Sequence, residues 1–202
     1  MSGVDLLISR SLSLEMKDNL DHDVLQKLEK QLFFDHGMSI KLSIEHFEKL
    51  HSILKNISSI DSETFEKNCI DKIIKVSRTK NNYVIKIINK KLSEKILDFF
   101  GDPETRKILM SLMGTFLTIS EILKTSKVLK SPAYRKIENL LLDGLILESG
   151  KILKNNKRVS QYFCIFDEVH AIIKNNELVV EGIICSSIFN QSSITKTGLF
   201  SN

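Results

Sequence analysis

Two short stretches of this chain hold the residues best suited to chemistry. Lys130, Ser131, Tyr134, Arg135 and Lys136 fall within one helical pair of turns, and Lys151, Lys154, Lys157 and Arg158 follow on a second segment. The chemistry such residues offer is recognition of a polyanion. An arginine can pair bidentately with guanine O6 and N7, a hydroxyl and free helix N–H groups hold phosphate, and each lysine can displace a counterion. Groups for covalent or metal chemistry are not arranged in this way. Cys69, Cys164 and Cys185 are widely spaced with no CxxC pair, so they read as packed thiols. His46 and His51 lie five apart and share no helix face, which leaves Asp35 and His36 as the remaining metal candidates beside them. The eight glycines form neither GxGxxG nor GxxxxGK[ST], and no nucleophile–base set or paired carboxylates stand out. No enzyme, cofactor or metal site is expected.

The elements around those cations must be short helices followed by a hairpin. Asp102 and Pro103 suit the start of a helix, with Ile108, Leu109, Leu112 and Met113 as its apolar stripe and Gly114 as its end. Thr118 caps a second helix that turns Ile119, Ile122 and Leu123 inward, and Thr125–Lys130 forms the turn. Ser131 is expected to cap the third helix with Pro132 at its first position. That helix buries Ala133, Ile137, Leu140 and Leu141, presents Tyr134, Arg135, Lys136, Glu138 and Asn139 on its other face, and stops at Gly144. A strand from Leu145 to Leu153, a turn at Lys154-Asn155-Asn156-Lys157 and a return strand from Val159 to Phe166 complete the unit. No acidic residue lies between Ser149 and Phe166, so the four hairpin cations are expected to be uncompensated.

Upstream, residues 4–33 show apolar positions at helical spacing, with Asp21 or Asp23 as N-cap of a second helix and Gly37 as its stop. Ser43 is expected to open a further helix, and Asp61-Ser62 another. Residues 76–92 read as a joint with an extra strand over Tyr83–Ile88, and a helix restarts after Ser93. Val169–Lys174, Asn175-Asn176 and Glu177–Cys185 signal a second hairpin, and residues 186–202 a flexible tail. The domains expected are therefore 1–75, helical; 76–100, connecting; 101–185, the helix–turn–helix with both hairpins; and 186–202, the tail.

Charge follows this division. Residues 1–74 carry nine Lys/Arg against thirteen Asp/Glu, whereas residues 101–166 carry eleven against six. A basic half facing a polyanion is one reading, and a Lys-rich solvated surface is the other. At 42% hydrophobic and 27% charged the composition is that of a globular protein, with no apolar run long enough for a membrane span and no signal-peptide pattern. A cytoplasmic location is expected.

The run Gly101-Asp102-Pro103-Glu104-Thr105-Arg106-Lys107-Ile108-Leu109, with Leu117–Leu123, Ser131–Ile137 and Leu140–Ile146 in that order, resembles the winged helix-turn-helix of archaeal regulators of the ArsR-like type. The likeness covers about residues 101–166. It implies a recognition helix over Ser131–Leu142 and a wing over Lys151–Arg158. Members of that family that sense metals do so through Cys or His clusters on the helices, and none occurs between 101 and 163 here. Residues 22–75 faintly resemble small helical output-type domains attached to regulators in ammonia-oxidising archaea.

The fold class expected is α+β, mainly α. The function expected is that of a DNA-binding transcriptional regulator acting on double-stranded DNA as a homodimer, with an effector or protein partner at the N-terminal helices. The alternative is a protein-interaction adaptor of the transcription machinery that uses the winged helix as a docking module. Tyr134 stands as either a base reader or a brace for its own helix, and Lys151 and Lys154 as either phosphate contacts or a solvated tip.

Overall fold

A computed structural model describes residues 3–57, 61–154 and 156–199. In chain order they form α1 (Gly3–Asn19), α2 (His22–His36), α3 (Ile40–Ile44), α4 (Phe47–Lys55), α5 (Ser62–Asp71), β1 (Ile74–Arg78), β2 (Asn82–Ile87), α6 (Lys90–Gly101), α7 (Pro103–Leu112), β3 (Leu117–Thr118), α8 (Ile119–Ser126), α9 (Lys130–Leu142), β4 (Ile146–Lys154), β5 (Lys157–Cys164), β6 (Glu168–Lys174), β7 (Glu177–Cys185), α10 (Ser186–Phe189) and α11 (Ser193–Lys196). The class is α+β: a helical N-terminal region precedes two small antiparallel sheets. Among the described residues no helix is long and apolar enough to cross a membrane.

Local chemistry sets most of the boundaries. Asp61 accepts the Thr64 N–H at the start of α5, and Gly37 closes α2 at φ 64° with its N–H on Phe33. Two starts differ from expectation. Ser43 opens no helix: it lies within α3, which Ser39 caps, and its buried hydroxyl donates to the Ile40 carbonyl. The helix carrying Phe47, Leu50 and Ile53 begins at Phe47 as α4. Likewise α6 begins at Lys90, because the Asn89 side chain accepts the Leu92 N–H and outcompetes Ser93 as the cap.

The four-stranded sheet runs β1-β2-β7-β6 and the three-stranded sheet β3-β5-β4. The second hairpin therefore belongs with the strands of residues 74–87, not with the unit beginning at Gly101, because β7 lies antiparallel against β2 over Asn82–Ile87. Nor do the units separate into independent cores. One apolar core runs from Val4 through Ile146 and Ile165 to Ile194. Helix α1 lies at its centre, with Val4, Ile8, Leu12 and Met16 fully buried. The end of α9 abuts this helix: a Cβ on Gly144, at φ 72°, would fall 2.6 Å from the Leu7 backbone nitrogen, so only glycine serves both the turn and the approach.

Residues 186–199 are not the tail expected. Phe189, Ser192 and Ile194 are buried, and Tyr83 stacks on Phe189 at 4.1 Å. Buried Asp5 of α1 accepts the Ser193 N–H at 2.6 Å and its hydroxyl at 2.8 Å, together with the Ser192 hydroxyl. A run of small polar residues loses hydropathy without losing order when an aspartate waits for its donors. Residues 200–202 of the expected tail lie outside the described residues.

Candidate nucleic-acid interface

The unit from α7 to β5 presents helix, short strand, helix, helix and hairpin, with β3 pairing β5 through Leu117–Tyr162 and Thr118–Gln161. Helix α8 is held at its start by Glu121, whose carboxylate accepts the Thr118 N–H at 2.9 Å and its hydroxyl at 2.7 Å. It ends at Lys127, which adopts the left-handed conformation at φ 54° and gives the sharp turn toward α9. Buried Val128 and Ser126 pin the turn from beneath, with Ser126 Oγ accepting the Val128 N–H at 3.4 Å.

Helix α9 starts two residues before its expected position. Leu129 is the N-cap, no side chain caps the helix, and Ser131 and Pro132 occupy the second and third positions. The proline fits there because no N–H of the first turn has an acceptor within the helix. Ala133, Ile137 and Leu140 are buried against the unit's core, while Lys130, Ser131, Tyr134 and Arg135 are exposed.

Lys136 is not available in the same way. Its ammonium lies 2.6 Å from Asp102 and 3.6 Å from Glu104, with the side chain 17% exposed. Asp102 also accepts the Thr105 N–H at 2.8 Å, so it caps α7 and anchors α9 at once. The Lys136 ammonium, with the Thr105 donors, holds its carboxyl far below the usual carboxylate range. An exposed-face position on a short helix thus becomes a strut, because the start of the neighbouring helix supplies the counter-charge.

In the hairpin the register pairs Lys151 with Ser160, Leu153 with Arg158, and Lys154 with Lys157, beyond a bulge between Glu148 and Gly150. Paired residues share a face and neighbours alternate, so Lys151 and Arg158 lie on one face and Lys154 and Lys157 on the other. Lys154 is compensated after all: its ammonium is 2.7 Å from Glu121 of α8. Lys154 and the two Thr118 bonds hold the Glu121 carboxyl down at about 2. Lys151, Lys157 and Arg158 remain exposed and, among the described residues, without ion partners. Asn156 takes φ 60° at the turn; Asn155, also expected there, lies outside the described residues.

The exposed cations within this unit include Lys124 and Lys127, which reading by helix face passed over; Lys127 stood in the sequence as a lysine in the turn itself. A cleft of about 860 Å³ runs between α1, α6 and the end of α9, with Arg10, Leu14, Lys90, Phe99 and Leu142 on its walls. Among the described residues no group of His, Cys, Asp and Glu is placed to hold a metal, and Cys69 and Cys164 are buried. Comparison with protein-family models, curated proteins and solved structures gives no match for this chain.

Proposed function

We propose that this protein is a DNA-binding transcriptional regulator, with residues 103–164 acting as a winged helix-turn-helix. The observation that carries the reading is the leading turn of α9, exposed, uncapped and basic, in the same unit as a hairpin whose Lys151, Lys157 and Arg158 have no ion partner among the described residues. Phosphates would sit on the free N–H groups of Lys130 and Ser131 and on Lys151, Lys157 and Arg158, fixing the register of the protein on the duplex. Arg135 would then reach base edges in the major groove, with Tyr134 beside it. In this reading Lys136 and Lys154 shape the surface without touching DNA. The protein would work in the cytoplasm, and the cleft against the end of α9 is where a small effector would act on the reading helix.

The test is selection of bound sequences from a random DNA pool with the purified protein, followed by a salt series on the best site. A regulator enriches a defined motif, and its affinity falls steeply as salt rises. A second reading, a protein-docking adaptor, is favoured by Leu129 and Leu153, which are 76% and 72% exposed near the same basic surface. It predicts no enriched motif and weak dependence on salt.

A further inference from the structure

Among the described residues the two sheets have four outer strands, β1, β6, β3 and β4, and they are not alike; β3 is only two residues long. β1 is five residues long and carries Lys75, Ser77 and Arg78. β4 is broken by its bulge and carries Lys151 and Lys154. Charge, brevity and bulges are the means by which a sheet edge avoids pairing with another chain. β6 has none of these along its middle. It runs seven residues without a register shift against β7, and among the described residues its outer edge pairs with no strand. Its sequence is Glu168-Val169-His170-Ala171-Ile172-Ile173-Lys174, with Ile172 49% and Ile173 78% exposed.

That segment is complementary to itself. Set two copies antiparallel about a two-fold axis through Ala171, and Glu168 of each faces Lys174 of the other. Val169 then faces Ile173, and His170 faces Ile172. An axis through His170 would instead set Glu168 against Ile172, and one through Ile172 would set His170 against Lys174. Of the three, only the Ala171 register sets opposite charges against each other at both ends, and it joins Val169 with Ile173 between them. Glu168 already has His170 of its own strand at 3.5 Å, a far more exposed and flexible contact than a cross-strand lysine would give. We propose that β6 is the self-association edge of this protein, joining two four-stranded sheets into one of eight strands. The homodimer expected from the sequence would then form here, since the apolar stripe of α1 is spent inside the core. It does not rest on the DNA reading.

Sedimentation velocity of the full chain without DNA, over two decades of concentration, tests it. The expected result is a reversible dimer of modest affinity, since a single strand pair buries little area. Glu168→Lys and Lys174→Glu should each weaken it about ten-fold, and the double swap should recover most of that loss. Because Lys174 also faces Glu177 on β7, a second measurement avoids charge altogether. In a Cys185→Ser background, Ala171→Cys should oxidise to a covalent dimer, whereas Glu177→Cys should stay monomeric. A wild-type monomer at the highest concentration, a dimer indifferent to both single swaps, or equal cross-linking from positions 171 and 177 would each overturn the proposal.

Discussion

Lys154 at the end of β4 reaches back to Glu121 on the first turn of α8, its ammonium 2.7 Å from the carboxylate. The same carboxylate holds Thr118, so the hairpin, the turn before α8 and the helix itself meet on one side chain. The hairpin is thereby fixed relative to α9, at the expense of one of its four cations.

That expense is measurable. Lys157→Ala and Arg158→Ala should each lower the slope of log affinity against log salt by about 1, equally on specific and random DNA. Lys154→Ala should lower it much less, and Glu121→Gln, which frees Lys154, should tighten binding to random DNA. The pH dependence follows from a carboxyl held down at about 2 against an ordinary 4.5. A depressed folded value means the latch is whole above the ordinary pKa and fades as pH falls toward the folded one. Binding by the wild type should therefore show no step from Glu121 between neutrality and about pH 5.

Adjacent residues on α9 should part company. Arg135→Ala should cost about 1–3 kcal/mol on the best site and relax selectivity at one position. Lys136→Ala should leave selectivity intact and instead lower stability by up to about 1 kcal/mol, since Asp102 is partly exposed and water screens the pair. Competition binding against a single-base library and thermal melts separate the two effects. Equal loss of selectivity in both variants would remove Lys136 from its role as a strut.

Lys127 holds a backbone conformation that side chains disfavour. Lys127→Gly should stabilise the protein by about 0.5–1 kcal/mol, the relief of the left-handed conformation exceeding the added freedom of the unfolded chain. It should also remove one phosphate contact if the turn faces DNA. Denaturant melts and the salt slope read the two consequences independently.

Glu66 is fully buried, with Oε2 2.6 Å from His51 Nδ1 and Oε1 without a partner. Burial raises its pKa, outweighing the contact with His51. A raised carboxyl gives its greatest stability below the ordinary value and loses it as pH climbs through the folded one. Glu66→Gln should accordingly raise the melting temperature at neutral pH and reduce the advantage of mild acid. A lower melting temperature for this variant at neutral pH would mean that the charge itself holds α4 to α5.

What the sequence revealed and what it hid divide by distance along the chain. Asp102 and Pro103 opening α7, Gly37 and Gly144 closing α2 and α9, and Ala133, Ile137 and Leu140 facing inward all depend on neighbours within a few residues. Those features were legible. Lys136 and Lys154 looked free because Asp102 and Glu121 lie 34 and 33 positions away. The second hairpin looked like an extension of the first because no local pattern says that β7 pairs with β2. The order of residues 186–199 depended on Asp5, a buried aspartate in the first turn of α1, nearly two hundred positions away. Of the expected contacts, Lys130, Ser131, Tyr134, Arg135, Lys151, Lys157 and Arg158 keep exposed side chains; the other two are tied within the unit.

The bonds from Ser192 and Ser193 to Asp5 also constrain how the protein is made. Helix α1 leaves the ribosome well before its partners, since the donors that satisfy its buried carboxylate come nearly two hundred residues later. Until they arrive, a helix whose apolar residues belong at the centre of the core must wait with its stripe uncovered and its aspartate in water. Completion is thus a late, long-range closure and not a sequence of finished pieces, the regime in which folding is slow and partly made chains depend on chaperones. Asp5→Ala should expose that dependence before it exposes anything at equilibrium, as chains released from synthesis that fail to reach the native state.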